Sequence, residues 1–176
     1  MKRELSQIRV ELRGVRPLIW RRLLVPSTTN LTQLHQILQC AMGWKNKHSF
    51  SFESGSDVPL SHSWPNKTVS EALSVVGGPL VYLYDPGDGW EHEITHEKRV
   101  FSDADRDYAI CVAGERACPP EDCGGIPGYA DILKAFEKPS SKLYAELREW
   151  IGTTFDPLAF SIDEVNQKLI AHSRLI

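Results

Sequence analysis

The chain has 176 residues, of which 41% are hydrophobic and 24% charged, and its formal net charge is −3 at pH 7. This length and composition are typical of one soluble domain with a core of its own. The sequence has no apolar run near the roughly 20 residues of a membrane span, and its first residues lack the apolar segment of a signal peptide. We therefore predict a single domain over residues 1–176, in the cytoplasm, with no membrane partner.

Positive charge is concentrated near the N-terminus. Residues 1–22 contain seven basic residues and two glutamates, a net charge of +5, which leaves −8 for the rest of the chain. Such asymmetry indicates either an arm that binds nucleic acid or two parts that attract each other within the fold. We favour the second interpretation, because the basic residues are spread along predicted strands.

The first half of the chain predicts strands with one helix between the early ones. Residues 7–13 alternate between apolar and polar side chains, and residues 18–25 form the second strand of a hairpin. Asn30 and Gln33 form a capping box that begins an amphipathic helix, which ends at Gly43. The remaining predicted strands are 48–53, 58–62, 79–84, 90–100 and 108–113. Thr68 and Glu71 form the capping box of a short helix.

The last third of the chain predicts helices. Apolar residues recur at helical spacing over 129–136 and 143–151, and Ser161 with Glu164 begins a final helix. Together these elements predict an α+β fold, mainly an antiparallel sheet with a helical C-terminal third. We expect Trp20 and Trp90 in the core or at its mouth.

Two stretches concentrate unusual side chains, and we select the candidate binding residues from them. The acidic segment (residues 85–93, DPGDGWEHE) follows a predicted strand through a tight turn, and the cysteine loop (residues 117–125) reads ACPPEDCGG. Arg21 and Arg22 are added because they interrupt an apolar strand. The full set is Arg21, Arg22, Asp85, Asp88, Trp90, Glu91, His92, Cys118, Glu121, Asp122 and Cys123.

Adjacent strand residues point to opposite faces, so at least one of the two arginines is expected among apolar neighbours. A partly buried guanidinium needs a carboxylate partner. We predict that Arg21 or Arg22 pairs with a carboxylate of the acidic segment, namely Asp85, Asp88 or Glu91. That pair would support a pocket mouth lined by Trp90, His92 and the cysteine loop; the alternative is an arginine that binds an anion.

Motifs for metal binding and catalysis are weak. Cys118 and Cys123 have the spacing of half a zinc site, but a closed structural site needs four ligands and no second pair has that spacing. His92 and His96 share a strand face, yet four strand residues separate them by roughly 13 Å. The sequence contains no nucleophile elbow, dinucleotide fingerprint or phosphate loop. We therefore predict no metal and no cofactor, and leave open an acid/base pair among the carboxylates of the acidic segment.

Five ordered blocks resemble the plasmid pRiA4b ORF-three-like family: WRRLLVP, LTQLHQILQCAMGW, YDPGDGWEHEI, ACPPEDCGGIPGY and EWIGTTFDPLAF. The resemblance runs from about Gln7 to Leu169, with Pro86 where the family commonly has an aromatic residue. It implies a compact, roll-like α+β fold. Some relatives are described as insertion-element passenger proteins or putative resolvases. Ser6, ahead of the predicted first strand, lacks the surrounding motif of a serine recombinase nucleophile.

Two classes of function follow. The first is a non-catalytic binding module for an unknown small molecule or protein, associated with a mobile element or plasmid. DNA-binding accessory proteins belong to this class. The second is an unrecognised enzyme of the hydrolase type that uses the carboxylates around Asp85–Glu93.

Overall fold

The computed structural model describes residues 3–54, 66–76, 78–103 and 107–174. These residues form six strands in one antiparallel sheet, in the order β3-β4-β5-β1-β2-β6. The strands are β1 Arg3–Leu12, β2 Trp20–Pro26, β3 Phe50–Ser54, β4 Leu80–Tyr84, β5 Trp90–Ser102 and β6 Ile110–Glu115. The helices are α1 Leu31–Met42, α2 Val69–Val76, α3 Gly125–Phe136, α4 Lys142–Ile151 and α5 Ile162–Ser173.

This architecture confirms the predicted α+β domain, with one helix between the early strands and a helical C-terminal third. The strand expected at 58–62 lies outside the described residues. β1 begins at Arg3, earlier than the alternation indicates, so Ser6 is a strand residue and only 2% exposed. A buried strand position does not suit a nucleophilic serine.

The core lies between the sheet and the helices. On β1 the alternate residues Ile8, Val10 and Leu12 are all fully buried, as expected for a half-buried strand. Both halves of the capping box of α1 form, and Gly43 ends the helix with a left-handed φ of 99°. α1 contacts α5, which also contacts β6, and Leu34 and Leu38 of α1 are fully buried.

Ion pairs cover the other face of the sheet. Arg13 Nη2 lies 2.8 Å from a Glu93 carboxylate oxygen, and Arg22 Nε lies 2.7 Å from Glu97 Oε2. The hydrogen bonds from Arg22 hold the pKa of Glu97 at about 2. Arg13, which follows β1, and Arg22 of β2 thus pair with glutamates of β5, which agrees with attraction within the fold.

Arg21 and Arg22 do not pair with the acidic segment, and that prediction is wrong. Neither guanidinium has a nitrogen within 4.0 Å of a carboxylate oxygen of Asp85, Asp88 or Glu91, all of them described residues. Arg21 is 2% exposed and donates instead to backbone carbonyls at Ala41, Trp20, Glu115 and Arg116. Carbonyl groups at the end of α1 and beside β6 satisfy this guanidinium, because helix ends leave carbonyls without partners in the helix.

The two tryptophans differ in their location. Trp90 is 1% exposed and belongs to the core, as expected. Trp20 is only half-buried and lies on the outer face of β2, where the guanidinium of Arg9 is 4.2 Å from its ring centroid. Trp20 is therefore outside the core, because its neighbours Ile19 and Arg21 take the inward side. The expected location in the core or at its mouth is confirmed for Trp90 and not for Trp20, although Trp20 is not fully exposed.

Candidate functional site

A tight turn after β4 fixes Asp85. The backbone N–H of Asp85 donates to the Ser49 carbonyl (3.0 Å), and its own carbonyl accepts from Gly89 (2.7 Å). Oδ1 of Asp85 accepts from the backbone N–H of Gly87 (3.1 Å). Aspartate is favoured here because its side chain caps turn amides and tolerates a left-handed backbone, φ 51° at Asp85. The carboxylate is held in place with 7% of the residue exposed.

The cysteine loop is joined directly to this turn. Oδ2 of Asp88 accepts a hydrogen bond of 3.2 Å from the backbone N–H of Gly124. Gly125 lies so close to the turn that a Cβ there would stand 2.6 Å from the Asp88 carbonyl oxygen. The two stretches that stand out in the sequence are therefore neighbours in space.

Glu121 enters the same place from the cysteine loop. Its side chain is 6% exposed, and Oε1 accepts from the Lys45 backbone N–H (2.6 Å) and from the Tyr84 hydroxyl (3.0 Å). The same hydroxyl accepts from the backbone N–H of Lys47 (3.0 Å). These bonds draw the connection between α1 and β3 against the end of β4.

His48 is the point at which the three segments meet. Its Nε2 lies 2.9 Å from Asp122 Oδ1, 3.5 Å from Asp85 Oδ2 and 3.7 Å from Glu121 Oε2. That nitrogen is enclosed, yet none of these contacts has the geometry of a hydrogen bond. We name these four residues, His48, Asp85, Glu121 and Asp122, the carboxylate site.

The three carboxylates are among the candidate residues predicted from the sequence, but the histidine is not. The sequence predicts His48 as the first residue of a strand, whereas β3 begins at Phe50 and leaves His48 in the preceding connection. Its neighbours come from β4 and the cysteine loop, and no spacing in the sequence connects these segments. Only the folded sheet brings them together.

A layer of aromatic rings lies beneath the carboxylate site. Trp44 Nε1 donates to His92 Nε2 (3.1 Å), which places the proton of this imidazole on Nδ1, facing the carbonyls of Trp90 and Tyr82. His92 is fully buried, and that burial lowers its pKa to about 4. The expected pocket mouth lined by Trp90 and His92 is therefore not formed, because both rings are part of the core.

The remaining candidates lie around the site or apart from it. Burial raises the pKa of both Cys118 and Cys123 to about 12, so both are neutral thiols at physiological pH. All four cysteines are free. Glu91 is exposed and pairs with Arg13 at 3.3 Å, away from the carboxylate site.

Comparisons with known proteins extend over nearly the whole chain. The curated uncharacterised protein y4hQ of Sinorhizobium fredii (strain NGR234) is 35% identical over 173 residues, covering 92% of this chain and 88% of that protein. The crystal structure of MM3350 of Methanosarcina mazei Go1, a protein of unknown function, has a TM-score of 0.83 and 27% identity. It covers 93% of this chain and 98% of that one.

The first protein is similar to this chain in sequence and the second in sequence and fold, and neither name states an activity. None of the helices in the described ranges has both the length and the apolar composition needed to span a membrane. The sequence profile of the plasmid pRiA4b ORF-3-like proteins matches residues 4–164. With a match over this length and a relative at 35% identity, the chain belongs to the plasmid pRiA4b ORF-3-like family.

Proposed function

We propose that this protein is a non-catalytic binding module whose ligand places positive charge in the carboxylate site. The observation behind the proposal is the burial of two carboxylates, Asp85 and Glu121, with side chains 9% and 6% exposed. Within the described residues, neither has a lysine or arginine nitrogen within 4.0 Å; their shared neighbour is His48. Neutral donors hold both side chains: backbone N–H groups donate to Asp85 Oδ1, and the Lys45 N–H and the Tyr84 hydroxyl donate to Glu121. These donors do not balance the negative charge, and a cationic ligand would do so.

The chemistry of the neighbouring groups favours binding over thiol catalysis. A nucleophilic cysteine needs a lowered pKa, whereas burial raises the pKa of Cys118 and Cys123 to about 12. A hydrolase that acts through the carboxylates alone stays a hypothesis. Assays with nitrophenyl esters and phosphates test it, and turnover that is lost on Asp85→Asn would favour it.

The ion pairs on the sheet weigh against a DNA-binding arm. Arg13 and Arg22 are engaged with glutamates of β5, and Arg21 is buried. Phosphate contacts need exposed basic side chains and give an affinity that falls steeply with salt. An electrophoretic shift with that salt dependence would contradict this part of the proposal.

The plasmid named in the family description suits a module that serves a mobile element, and genes adjacent to this one in several genomes would test that association. We also propose a cytoplasmic location, because the four cysteines are free thiols and the cytoplasm keeps thiols reduced.

The binding proposal is tested with a panel of cations. Untagged protein is titrated calorimetrically with spermidine, arginine amide, Mn²⁺ and Zn²⁺. We expect at least one of these probes to bind with a stoichiometry of one and to lose affinity in the double variant Asp85→Asn/Asp122→Asn. The matched control is Asp131→Asn, an exposed aspartate on α3 that pairs with Lys134. Binding that persists in the double variant, or no binding of any probe, would contradict the proposal.

A further inference from the structure

We infer that the carboxylate site binds a divalent transition-metal ion through His48 Nε2, Asp85 Oδ2 and Asp122 Oδ1. Glu121 Oε2, 3.7 Å from His48 Nε2, adds a neighbouring negative charge. This inference rests on the proposed function and specifies its ligand. It also differs from the sequence-based expectation of no metal, which considered the cysteines and the histidines of β5. His48 is not part of that expectation.

Distances between the ligand atoms agree with a common ion. One atom each from His48, Asp85 and Asp122 lie within 4.8 Å of one another. From Nε2 the three carboxylate oxygens are 2.9, 3.5 and 3.7 Å away. Bonds of about 2.0–2.2 Å in tetrahedral or octahedral geometry place neighbouring ligand atoms roughly 3.0–3.5 Å apart. The distances from Nε2 are therefore close to those between neighbouring ligands of one ion.

The surroundings of the imidazole nitrogen give a second reason. His48 Nε2 is enclosed and has no hydrogen-bond partner among the described residues, although a carboxylate oxygen is only 2.9 Å away. An enclosed polar atom without a partner needs an explanation, and an ion shared with the neighbouring oxygens would supply the missing partner.

Hydrogen bonds from residues outside the carboxylate site hold its carboxylates in place. Gly87 N–H fixes Oδ1 of Asp85, which leaves Oδ2 to face His48. The Lys45 N–H and the Tyr84 hydroxyl fix Glu121. Supporting hydrogen bonds of this kind orient metal ligands and raise affinity, because less order must be imposed when the ion binds.

The ligand types select the class of ion. One imidazole nitrogen with carboxylate oxygens suits Mn²⁺, Fe²⁺, Co²⁺, Ni²⁺ or Zn²⁺, whereas Mg²⁺ and Ca²⁺ prefer oxygen ligands alone. Three carboxylates and a divalent ion leave a net charge of −1. Lys47 Nζ, 3.7 Å from Asp122 Oδ2, supplies one further positive charge.

The decisive variant is His48→Gln, which removes the nitrogen ligand and keeps all three carboxylates. Untagged, EDTA-treated protein is titrated with Mn²⁺, followed by electron paramagnetic resonance, and with Co²⁺, followed by its visible absorption. We expect one ion per chain for the wild type and at least a tenfold weaker affinity for His48→Gln. His96→Gln, which changes an exposed histidine of β5, should bind as the wild type does. Circular dichroism establishes that each variant is folded.

The outcomes separate this inference from the proposed function. Absence of Mn²⁺ and Co²⁺ binding, or equal affinity in wild type and His48→Gln, overturns the metal site. If spermidine or arginine amide still binds, and Asp85→Asn/Asp122→Asn abolishes that binding, the proposed function stands without the metal. If neither the metals nor the organic cations bind, both fail. If His48→Gln does not fold, Asp122→Asn replaces it, because this exposed residue is the least buried ligand.

Discussion

The carboxylate of Asp88 accepts a 3.2 Å hydrogen bond from the backbone N–H of Gly124. One contact thereby joins the turn after β4 to the loop that carries Glu121 and Asp122. The carboxylate site depends on this junction, because its ligands come from both sides of it.

We predict that Asp88→Ala loosens the junction. Losing one partly exposed hydrogen bond to a charged group should lower the free energy of unfolding by about 1–2 kcal/mol. Binding at the carboxylate site should weaken as well, although Asp88 is not one of its four residues. Asp88→Asn keeps an acceptor oxygen and is the matched control. Urea denaturation and the Mn²⁺ titration measure the two effects, and an unchanged stability of Asp88→Ala would show that the junction contributes nothing.

Arg21 and Arg22 are adjacent, yet we predict very different effects of replacing them. Arg21→Leu leaves the buried carbonyl of Ala41 and the partly buried carbonyls of Glu115 and Arg116 without their donor. Each unsatisfied buried group costs about 1–3 kcal/mol, so the total loss should exceed 3 kcal/mol. Arg22→Leu breaks the exposed pair with Glu97 and a contact with the Trp20 ring (5.4 Å to the centroid), and should cost much less, because water screens exposed ion pairs. Urea denaturation measures the free energy of unfolding of both variants. Equal losses of stability would contradict the assignment of Arg21 to the core.

Local patterns in the sequence were sufficient to predict most of the fold. The alternation of β1 and the capping box of Asn30 and Gln33 each involve neighbours in the chain. The strand and the helix that these patterns predict are both present in the structure. The site was predicted only in part. Its carboxylates stand in dense polar stretches, but His48 acquires its neighbours only when β3, β4 and the cysteine loop assemble.

The arginine prediction failed for a physical reason. It assumed that a buried guanidinium requires a carboxylate, whereas five N–H donors can be satisfied by backbone carbonyls gathered at a helix end. The carbonyl of Ala41 at the end of α1 is such a partner, 2.9 Å from Arg21 Nε. The sequence does not reveal where that helix end lies relative to β2.

Trp90→Ala is predicted to be severely destabilising, unlike Trp150→Ala. The first side chain is 1% exposed and contacts Trp44, with 5.7 Å between the ring centroids, while Trp150 on α4 is 52% exposed. Removing a buried tryptophan costs about 3–5 kcal/mol, and removing an exposed one changes stability by about 0.5 kcal/mol or less. Thermal denaturation compares the two variants. An unchanged melting temperature for Trp90→Ala would place the acidic segment outside the core.

The buried imidazole of His92 predicts a pH dependence of stability. Burial lowers its pKa in the folded state to about 4, from an ordinary value of 6.5. Between these values the unfolded chain binds a proton that the folded chain does not, so the free energy of unfolding falls as the pH falls. The loss between pH 7 and pH 5 should be about 2 kcal/mol from this one group.

His92→Gln separates this contribution from the others. Glutamine can still accept from Trp44 Nε1 and does not titrate, so the variant should be less stable at pH 7 and lose less stability on going to pH 5. His35, whose pKa burial also lowers, is present in both proteins and cancels in the comparison. The pair is measured by urea denaturation at pH 7 and pH 5, both well above the pKa of about 2 of Glu97. Equal losses in the two proteins would mean that His92 does not cause the pH dependence. The pKa of its imidazole in the folded state would then not be lowered.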